Sequence, residues 1–266
     1  MNELQTGLLR NFEIVPVGDT AALLRFSEKK NVRLNSATHH LAEKIRVENT
    51  EGLKDIIPGY SSLLLRFISK AHLDSLCKNI GEMLSEIKST ELLPERLIEV
   101  PVFYGGEYGP DIQKVADNAG IAGGEATRIH SQNTYYVYCV GFSPGFPYLG
   151  GLTRVLHCPR KAEPRQNIPG GSVGIGGEQT GVYPQPGPGG WQIIGQTPSK
   201  LFDIDREPPS VLRPGDLLRF RQISIKEFQH LSQNESCPDD YAITVVDLDR
   251  EQSELLIAQV EDTEYS

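Results

Sequence analysis

The chain reads VGFSPGFPYLGGL over residues 140–152 and CPRKAEPRQNIPGGSVGIGGEQTGVYPQPGPGGWQIIGQT over residues 158–197. Residues 140–197 hold 14 of the 26 glycines and 8 of the 18 prolines, a density that is typical of disordered or low-complexity segments. Here, however, the glycines follow no period, and aromatic and aliphatic residues stand between them. Glycine permits a positive φ or a close backbone contact, and proline fixes tight turns. The stretch therefore predicts folded chain, with short strands and rigid loops around a pocket.

Composition places the chain among soluble globular proteins, with 38% hydrophobic and 23% charged residues in 266 positions, enough for two domains. No apolar run approaches the roughly 18 residues of a membrane span, and the N-terminal residues show no secretory signal. We therefore expect a cytoplasmic protein with no membrane partner. Of the net charge of −9, residues 227–266 carry 11 acidic residues and one basic residue. The remaining chain is nearly neutral, which argues against a nucleic-acid partner.

The four cysteines are scattered, without a CxxC pair and without histidines at metal-ligand spacing. They are Cys77, Cys139, Cys158 and Cys237. His39 and His40 are adjacent and therefore point to different sides of a helix. The pattern predicts reduced thiols, no disulfide framework and no bound metal in this chain.

Residues 12–89 contain an internal repeat. The sequence VPVGDTAALLRFS at residues 15–27 is echoed by IPGYSSLLLRFIS at residues 57–69. Each copy predicts two short strands joined by a glycine-containing turn, followed by an amphipathic helix. The order ββα–ββα predicts an α+β domain in which an antiparallel sheet is covered by two helices.

The polar STELLPER segment at residues 89–96 predicts a domain junction. Beyond it, short strand-forming runs alternate with turn signals, which is typical of a β-barrel. We therefore divide the chain into the α+β domain (1–93), the barrel domain (94–228) and an acidic C-terminal extension (229–266). In the extension, residues 241–246 predict an edge strand, and we expect the acidic end to be disordered.

Two local predictions concern the start of the barrel domain. Residues 98–102 alternate between apolar and other residues as in a half-buried strand, and Pro101 points to a sheet edge. Asp111 is expected to cap a helix that ends at Gly120.

Two short motifs suggest catalysis or nucleotide binding, but neither has the right context. GFSPG at residues 141–145 matches the nucleophile elbow GxSxG, which requires a helix after the serine. Glycine and proline follow and prevent that helix, so we do not expect Ser143 to be a nucleophile. GIGG at residues 174–177 lacks the third glycine of a dinucleotide loop, because Gln179 stands there, and no Walker A sequence exists.

Arg160 and Arg165 lie in PRKAEPR, where two prolines restrain two guanidinium groups. Two interpretations stay open: a rigid fork for a carboxylate or phosphate, and a surface arginine or structural ion pair. Neutral polar and aromatic groups in the same region suit an amide or lactam. The predicted substrate-binding residues are Arg160, Arg165, Gln179, Tyr183, Trp191, Gln196, Phe146 and His130. No general base stands out, since Glu178 is the nearest carboxylate, and no catalytic residue is assigned.

Five motifs occur in one order: GFSPGFPYLGGL, PRKAEPR, PGGSVGIGGEQTGVYP, PGGWQIIGQTP and LRPGDLLRF. Together they resemble the successive motifs of the allophanate hydrolase subunit 1 family, from Phe12 to Phe228. The resemblance implies an N-terminal α+β domain followed by a mainly-β, cyclophilin-like barrel. Serine at position 143 departs from the residue that is usual in the family.

The resemblance also implies an activity and partners. The family includes the B subunit of the bacterial ATP-dependent 5-oxoprolinase, a hydrolase complex that opens the cyclic amide 5-oxo-L-proline to L-glutamate with ATP hydrolysis. It therefore implies subunits A and C as partners, ATP as the cofactor of the complex, and an isolated chain that is inactive. Two alternatives are an inhibitor that binds a sporulation sensor histidine kinase, and a carboxyltransferase component of the allophanate hydrolase or urea carboxylase type with a biotin-bearing partner.

Overall fold

The computed structural model describes residues 12–27, 31–48, 50–86, 93–233 and 243–265. The chain divides between Leu93 and Pro94 into two compact units. No helix among the described residues is long and apolar enough to cross a membrane.

The first unit confirms the predicted ββα–ββα repeat. Its elements are β1 (Glu13–Pro16), β2 (Ala21–Arg25), α1 (Val32–Val47), β3 (Leu53–Pro58), β4 (Ser62–Phe67) and α2 (Lys70–Ser85). The four strands form one antiparallel sheet in the order β1-β2-β4-β3, so the two central strands come from different copies of the repeat. Leu41 and Ile45 of α1 and Ile80 of α2 are fully buried in the core of this unit.

The second unit contains the predicted barrel. Its elements are β5 (Arg96–Tyr104), α3 (Ile112–Ala119), α4 (Gly123–Gln132), β6 (Thr134–Val140), β7 (Pro147–Gly150), β8 (Arg165–Ile168), β9 (Ser172–Gly176), β10 (Gln179–Val182), β11 (Gly187–Gly189), β12 (Gln192–Gln196), β13 (Leu217–Gln222), α5 (Ile225–Gln233), β14 (Thr244–Asp247) and α6 (Arg250–Tyr265). Seven strands close in the order β12-β9-β10-β7-β6-β13-β5, because β5 pairs again with β12. The predicted fold class, an α+β domain followed by a mainly-β barrel, is confirmed.

Side chains fill the barrel interior. Val100 of β5, Tyr135 of β6, Ile175 of β9 and Phe220 of β13 are fully buried in one hydrophobic core. A ligand site in this unit must therefore lie on the outside of the barrel core, where loops and the short β8–β11 sheet are found.

Strand β5 corrects the prediction that Pro101 marks a sheet edge. It belongs to the ring and pairs with β13 along residues 97–102. On its other side, β14 covers residues 96–99 and β12 covers residues 103–104. Pro101 lies between these two partners, so its missing N–H costs no ladder hydrogen bond.

The C-terminal extension packs on the barrel over residues 243–265. Its predicted edge strand is confirmed as β14, which pairs with β5. The expectation of disorder at the acidic end is wrong, because α6 forms there. Ser253, Ile257 and Val260 make a buried stripe at helical spacing, and Ser253 Oγ donates to the carbonyl oxygen of Pro94 at 2.6 Å. The many acidic residues of the helix concealed this stripe in the sequence.

Candidate functional site

The glycine-rich region builds an aromatic cluster that is separate from the main barrel core. The ring centroids of Phe146, Tyr183 and Trp191 are 5.3, 5.5 and 6.3 Å apart, all in edge-on contacts, and the three side chains are buried. Glycine makes room for them. A Cβ at Gly176 would lie 2.4 Å from Trp191 Nε1, and one at Gly189 would lie 2.3 Å from the Tyr183 hydroxyl. The glycines therefore serve close packing of aromatic rings.

Arg160 lies over this cluster and is exposed to solvent. Its Cζ is 5.7 Å from the centroid of the Trp191 ring, within the range of a cation–π contact. Among the residues that the structure describes, none forms a hydrogen bond or ion pair with its guanidinium. Burial raises the pKa of the nearby Tyr183, so its phenol stays neutral. Arg160 thus offers unused N–H donors, positioned by stacking, to an anion.

A cleft of about 770 Å³ extends from Arg160. Its lining includes Asp111, Lys114 and Asn118 from the α3 side, residues 158–163, and Gln192. Within the described part of the chain, Lys114 has no ion-pair partner either. Because Lys114 and Arg160 line the same cleft with unpaired positive charge, the cleft favours an anionic ligand.

Gln192 forms one wall of the cleft and is nearly fully buried. Its Nε2 donates to the carbonyl oxygen of Pro159 at 2.8 Å, which fixes the orientation of the amide. No donor among the described residues reaches its buried Oε1. A buried acceptor without a partner costs free energy, so an N–H group or a water molecule at this wall is favourable.

Asp111 is a buried acid at the same cleft, and its role differs from the predicted helix cap. It does precede α3, and Gly120 ends that helix in the left-handed conformation as predicted, but the carboxylate makes no capping hydrogen bond. It accepts two hydrogen bonds from Arg165 at 2.8 Å and one from the Ile193 N–H at 2.7 Å. Burial acts to raise the pKa of Asp111, but the bonds from Arg165 and Ile193 outweigh it and lower the pKa.

The ion pair with Asp111 corrects the predicted two-arginine fork. Arg165 is held by Asp111, whose hydrogen bond raises the pKa of Arg165, and its Nη1 also lies 3.5 Å from the Trp191 carbonyl oxygen. The structural ion pair, one of the two open interpretations, is therefore the one that the geometry favours for Arg165. Arg160 remains available for an anion, and Arg165 helps to fix the backbone of the tryptophan beneath it.

His130 lies in the barrel core rather than at the site. It is fully buried and stacks on Phe220 with centroids 4.8 Å apart. Its Nδ1 lies 2.8 Å from the Tyr104 hydroxyl and its Nε2 lies 2.8 Å from Thr180 Oγ1. Burial lowers the pKa of His130 to about 3, so the ring is neutral. Because both ring nitrogens are used internally, we withdraw His130 as a substrate-binding candidate.

Other predicted residues have structural surroundings of their own. Gln196 ends β12 and donates from Nε2 to the carbonyl oxygen of Gly170 at 2.6 Å, which ties down a loop. Gln179 begins β10 and is half-buried. Ser143 lies in a turn, where its carbonyl oxygen accepts the Phe146 N–H at 3.0 Å, and β7 rather than a helix follows. The geometry of a nucleophile elbow is therefore missing.

Cysteines and metal ligands contribute nothing to the site that the structure shows. Cys77, Cys139 and Cys158 are free thiols, and Cys237 lies outside the described residues. The described parts of the chain contain no group of three or more side chains that could hold a metal ion.

Sequence reasoning missed Lys114 and Gln192. Lys114 lies on α3, far from the glycine-rich region in sequence, and nothing in its neighbourhood distinguishes it from a surface lysine. Gln192 follows Trp191 directly, so its position in the same segment was the one available signal.

The domain family described as carboxyltransferase domain, subdomain C and D, matches residues 12–212. The chain belongs to this family. Two curated relatives of this carboxyltransferase C and D chain are each named as the B subunit of 5-oxoprolinase. The Bacillus subtilis (strain 168) protein is 40% identical over 236 residues, which cover 85% of this chain and 98% of that protein. The Escherichia coli O157:H7 protein is 42% identical over 207 residues, which cover 77% of this chain and 93% of that protein.

Solved structures agree with the family assignment. TTHA0988 is 35% identical with a TM-score of 0.66, and the match covers 77% of this chain but only 40% of that one. The carboxyltransferase C and D region thus spans less than half of that longer protein. Kluyveromyces lactis urea carboxylase, at 18% identity and a TM-score of 0.70, matches 96% of this chain and 25% of its own, and it shows the fold alone. The predicted family resemblance is confirmed.

Proposed function

We propose that the chain is the B subunit of an ATP-dependent 5-oxoprolinase, which opens 5-oxo-L-proline to L-glutamate. The relatives that carry this name support the role at 40% and 42% identity. The observation that carries the proposal is Arg160, an exposed and unpaired guanidinium stacked on Trp191 at a cleft of about 770 Å³.

The chemistry of 5-oxoproline fits this cleft. The molecule is a small planar ring with a carboxylate, a lactam carbonyl and a lactam N–H. Arg160 and Lys114 supply positive charge for the carboxylate, and a guanidinium binds such a group with two parallel hydrogen bonds. Gln192 Oε1, which lacks a donor among the described residues, suits the lactam N–H. The cleft therefore offers one group for each end of the substrate.

ATP is needed because a lactam is a resonance-stabilised amide and a poor electrophile. Transfer of the γ-phosphoryl group to the lactam oxygen activates the ring carbon. Water then adds to that carbon, the C–N bond breaks to leave an acyl phosphate, and a second water releases phosphate and glutamate. The sequence has no phosphate-binding loop. We therefore assign ATP binding to the companion subunits A and C.

Reconstitution tests this proposal. The purified chain, the two companion subunits and every combination of them are assayed for ATP-dependent release of glutamate from 5-oxoproline. We expect turnover only in the complete mixture and none from the isolated chain. Robust turnover by the chain alone, or an assembled complex without turnover, contradicts the proposal. Inhibition of a sensor histidine kinase and biotin-dependent carboxyl transfer stay predictions from the resemblance, and the same purified chain serves to assay both.

A further inference from the structure

Phe142 combines two unfavourable features. Its side chain is 79% exposed, although phenylalanine is strongly apolar. Its φ is 70°, and no other non-glycine residue in the described parts of the chain has a positive φ. This left-handed region disfavours bulky side chains, and such strain persists only where surrounding structure enforces it. The fold therefore maintains a large apolar ring in solvent at a cost in backbone energy.

The loop that carries Phe142 is held firmly between β6 and β7. The Gly141 N–H donates to the Phe146 carbonyl oxygen at 2.9 Å, which closes the loop. Gly145, with a φ of 82°, packs so closely on Phe202 that a Cβ there would lie 2.4 Å from the Phe202 Cβ. The position of Phe142 is thus imposed by its neighbours and is not that of a loose loop tip.

The adjoining loop presents a second exposed apolar side chain. Ile204 is 75% exposed, two residues after the Phe202 that Gly145 contacts. This loop is also fixed, because the Asp203 N–H donates to the Pro209 carbonyl oxygen at 2.8 Å and Arg206 Nη2 donates to the same oxygen at 3.1 Å. Two rigid, adjoining loops therefore each expose one large apolar residue.

Acidic residues surround Ile204. Asp205 and Glu207 follow it in sequence, and both are exposed. We call Phe142, Phe202, Ile204, Asp205 and Glu207 the docking face. Rigid exposed anchors with a charged rim are typical of binding surfaces whose central residues enter a pocket on a partner.

The docking face adjoins the candidate site. The Phe142 ring is 6.0 Å from the ring of Phe146, which is 5.5 Å from the Trp191 ring on which Arg160 stacks. A protein bound at Phe142 therefore lies beside the cleft. In TTHA0988, most of the chain lies outside the region that matches this one, so a related module is joined there to a larger polypeptide.

We propose that the docking face binds the companion subunit of the complex, through an apolar pocket that receives Phe142 and a basic rim that faces Asp205 and Glu207. This inference rests on the proposed function, since it takes its partner from that complex. Docking here brings the companion subunit to the edge of the substrate cleft. The active site of the complex is then completed across this interface.

The test measures the dissociation constant between the chain and each purified companion subunit by biolayer interferometry. Phe142→Gly removes the ring and also relieves the positive φ, so it should weaken binding about tenfold or more without lowering the stability of the chain. Ile204→Ala should weaken binding in the same direction. Asp205→Lys with Glu207→Lys should slow association and reduce its salt dependence. The matched control is Leu255→Ala, an exposed apolar residue on α6 that should leave the dissociation constant unchanged.

The outcomes separate the two proposals. If the parent chain and Phe142→Gly bind the companion subunit equally, the docking face is overturned and the proposed function stands. If binding depends on Phe142 but the assembled complex does not open 5-oxoproline, the proposed function falls and the docking face stands. A parent chain that binds neither subunit overturns both. A Phe142-dependent dimer of this chain, with companion binding unaffected, assigns the face to self-association and also overturns the inference.

Discussion

Replacing Arg165 with alanine is expected to destabilise the second unit. The substitution removes two hydrogen bonds of 2.8 Å to Asp111, whose side chain is only 9% exposed. The carboxylate keeps the Ile193 N–H at 2.7 Å and the Lys161 Nζ at 3.5 Å. It therefore remains buried with weaker compensation, and the Trp191 carbonyl oxygen loses a 3.5 Å contact.

The size of the loss follows from burial and the contacts that remain. Breaking a fully buried ion pair costs about 3–5 kcal/mol. The side chain of Arg165 is 27% exposed, so solvent screens part of this interaction, and Asp111 keeps two other donors. We therefore expect a loss of about 2 kcal/mol in the free energy of unfolding, within the range for hydrogen bonds to charged groups. For a domain of this size, that corresponds to a fall of about 4–8 °C in Tm.

Trp191 provides a selective assay because it is the single tryptophan in the chain and lies in the second unit. Urea unfolding followed by its fluorescence compares the parent chain with Arg165→Ala, Asp111→Ala and the double variant. The two losses should be less than additive, since the residues share one interaction. Arg160→Ala is the matched control and should stay within about 0.5 kcal/mol of the parent, because Arg160 is exposed.

One result refutes this reasoning. If Arg165→Ala unfolds at the urea midpoint of the parent but raises the KM for 5-oxoproline in the assembled complex tenfold or more, Arg165 binds substrate directly. The predicted two-arginine fork would then be restored.

Three further predictions use the same preparations. Burial lowers the pKa of His130 to about 3, so below pH 6.5 the unfolded chain gains a proton that the folded barrel does not; stability should fall by about 1.4 kcal/mol per pH unit from pH 6 towards 3, a slope that His130→Gln should flatten in urea titrations. Gly176→Ala forces a Cβ to within 2.4 Å of Trp191 Nε1 and should cost about 1–3 kcal/mol, and an unchanged midpoint argues against the packing role of this glycine. Ser143→Ala should leave the activity of the complex within a few-fold of the parent, whereas a loss on the order of 10⁶ would revive the nucleophile elbow.

The fold was largely predictable because its signals are local. The repeated strand pairs and apolar helix stripes predict the first unit, and frequent turn signals predict the barrel. The acidic helix α6 was missed because its buried stripe is narrow, with Ser253, Ile257 and Val260 separated by charged and polar residues. A compositional rule for disorder outweighed the spacing of these three residues.

The site was less predictable because its key contacts join distant residues. Asp111 and Arg165 are 54 positions apart, and no local pattern shows that one neutralises the other. The sequence correctly placed Arg160 near Trp191, which lie in one glycine-rich region. It gave the wrong purpose for the aromatic residues, since Phe146, Tyr183 and Trp191 are packed against one another rather than open for stacking.

The most direct test of the central claim is kcat/KM for 5-oxoproline in the assembled complex, measured for the parent chain and for Arg160→Ala. If Arg160 binds the substrate carboxylate at the cleft, kcat/KM should fall about tenfold or more, because a charge-assisted hydrogen bond contributes about 1.5–3 kcal/mol. The urea midpoint should not move, and Arg160→Lys should restore only part of the loss, since an ammonium cannot replace the planar fork. Unchanged kinetics in Arg160→Ala, with the complex intact, would contradict the account.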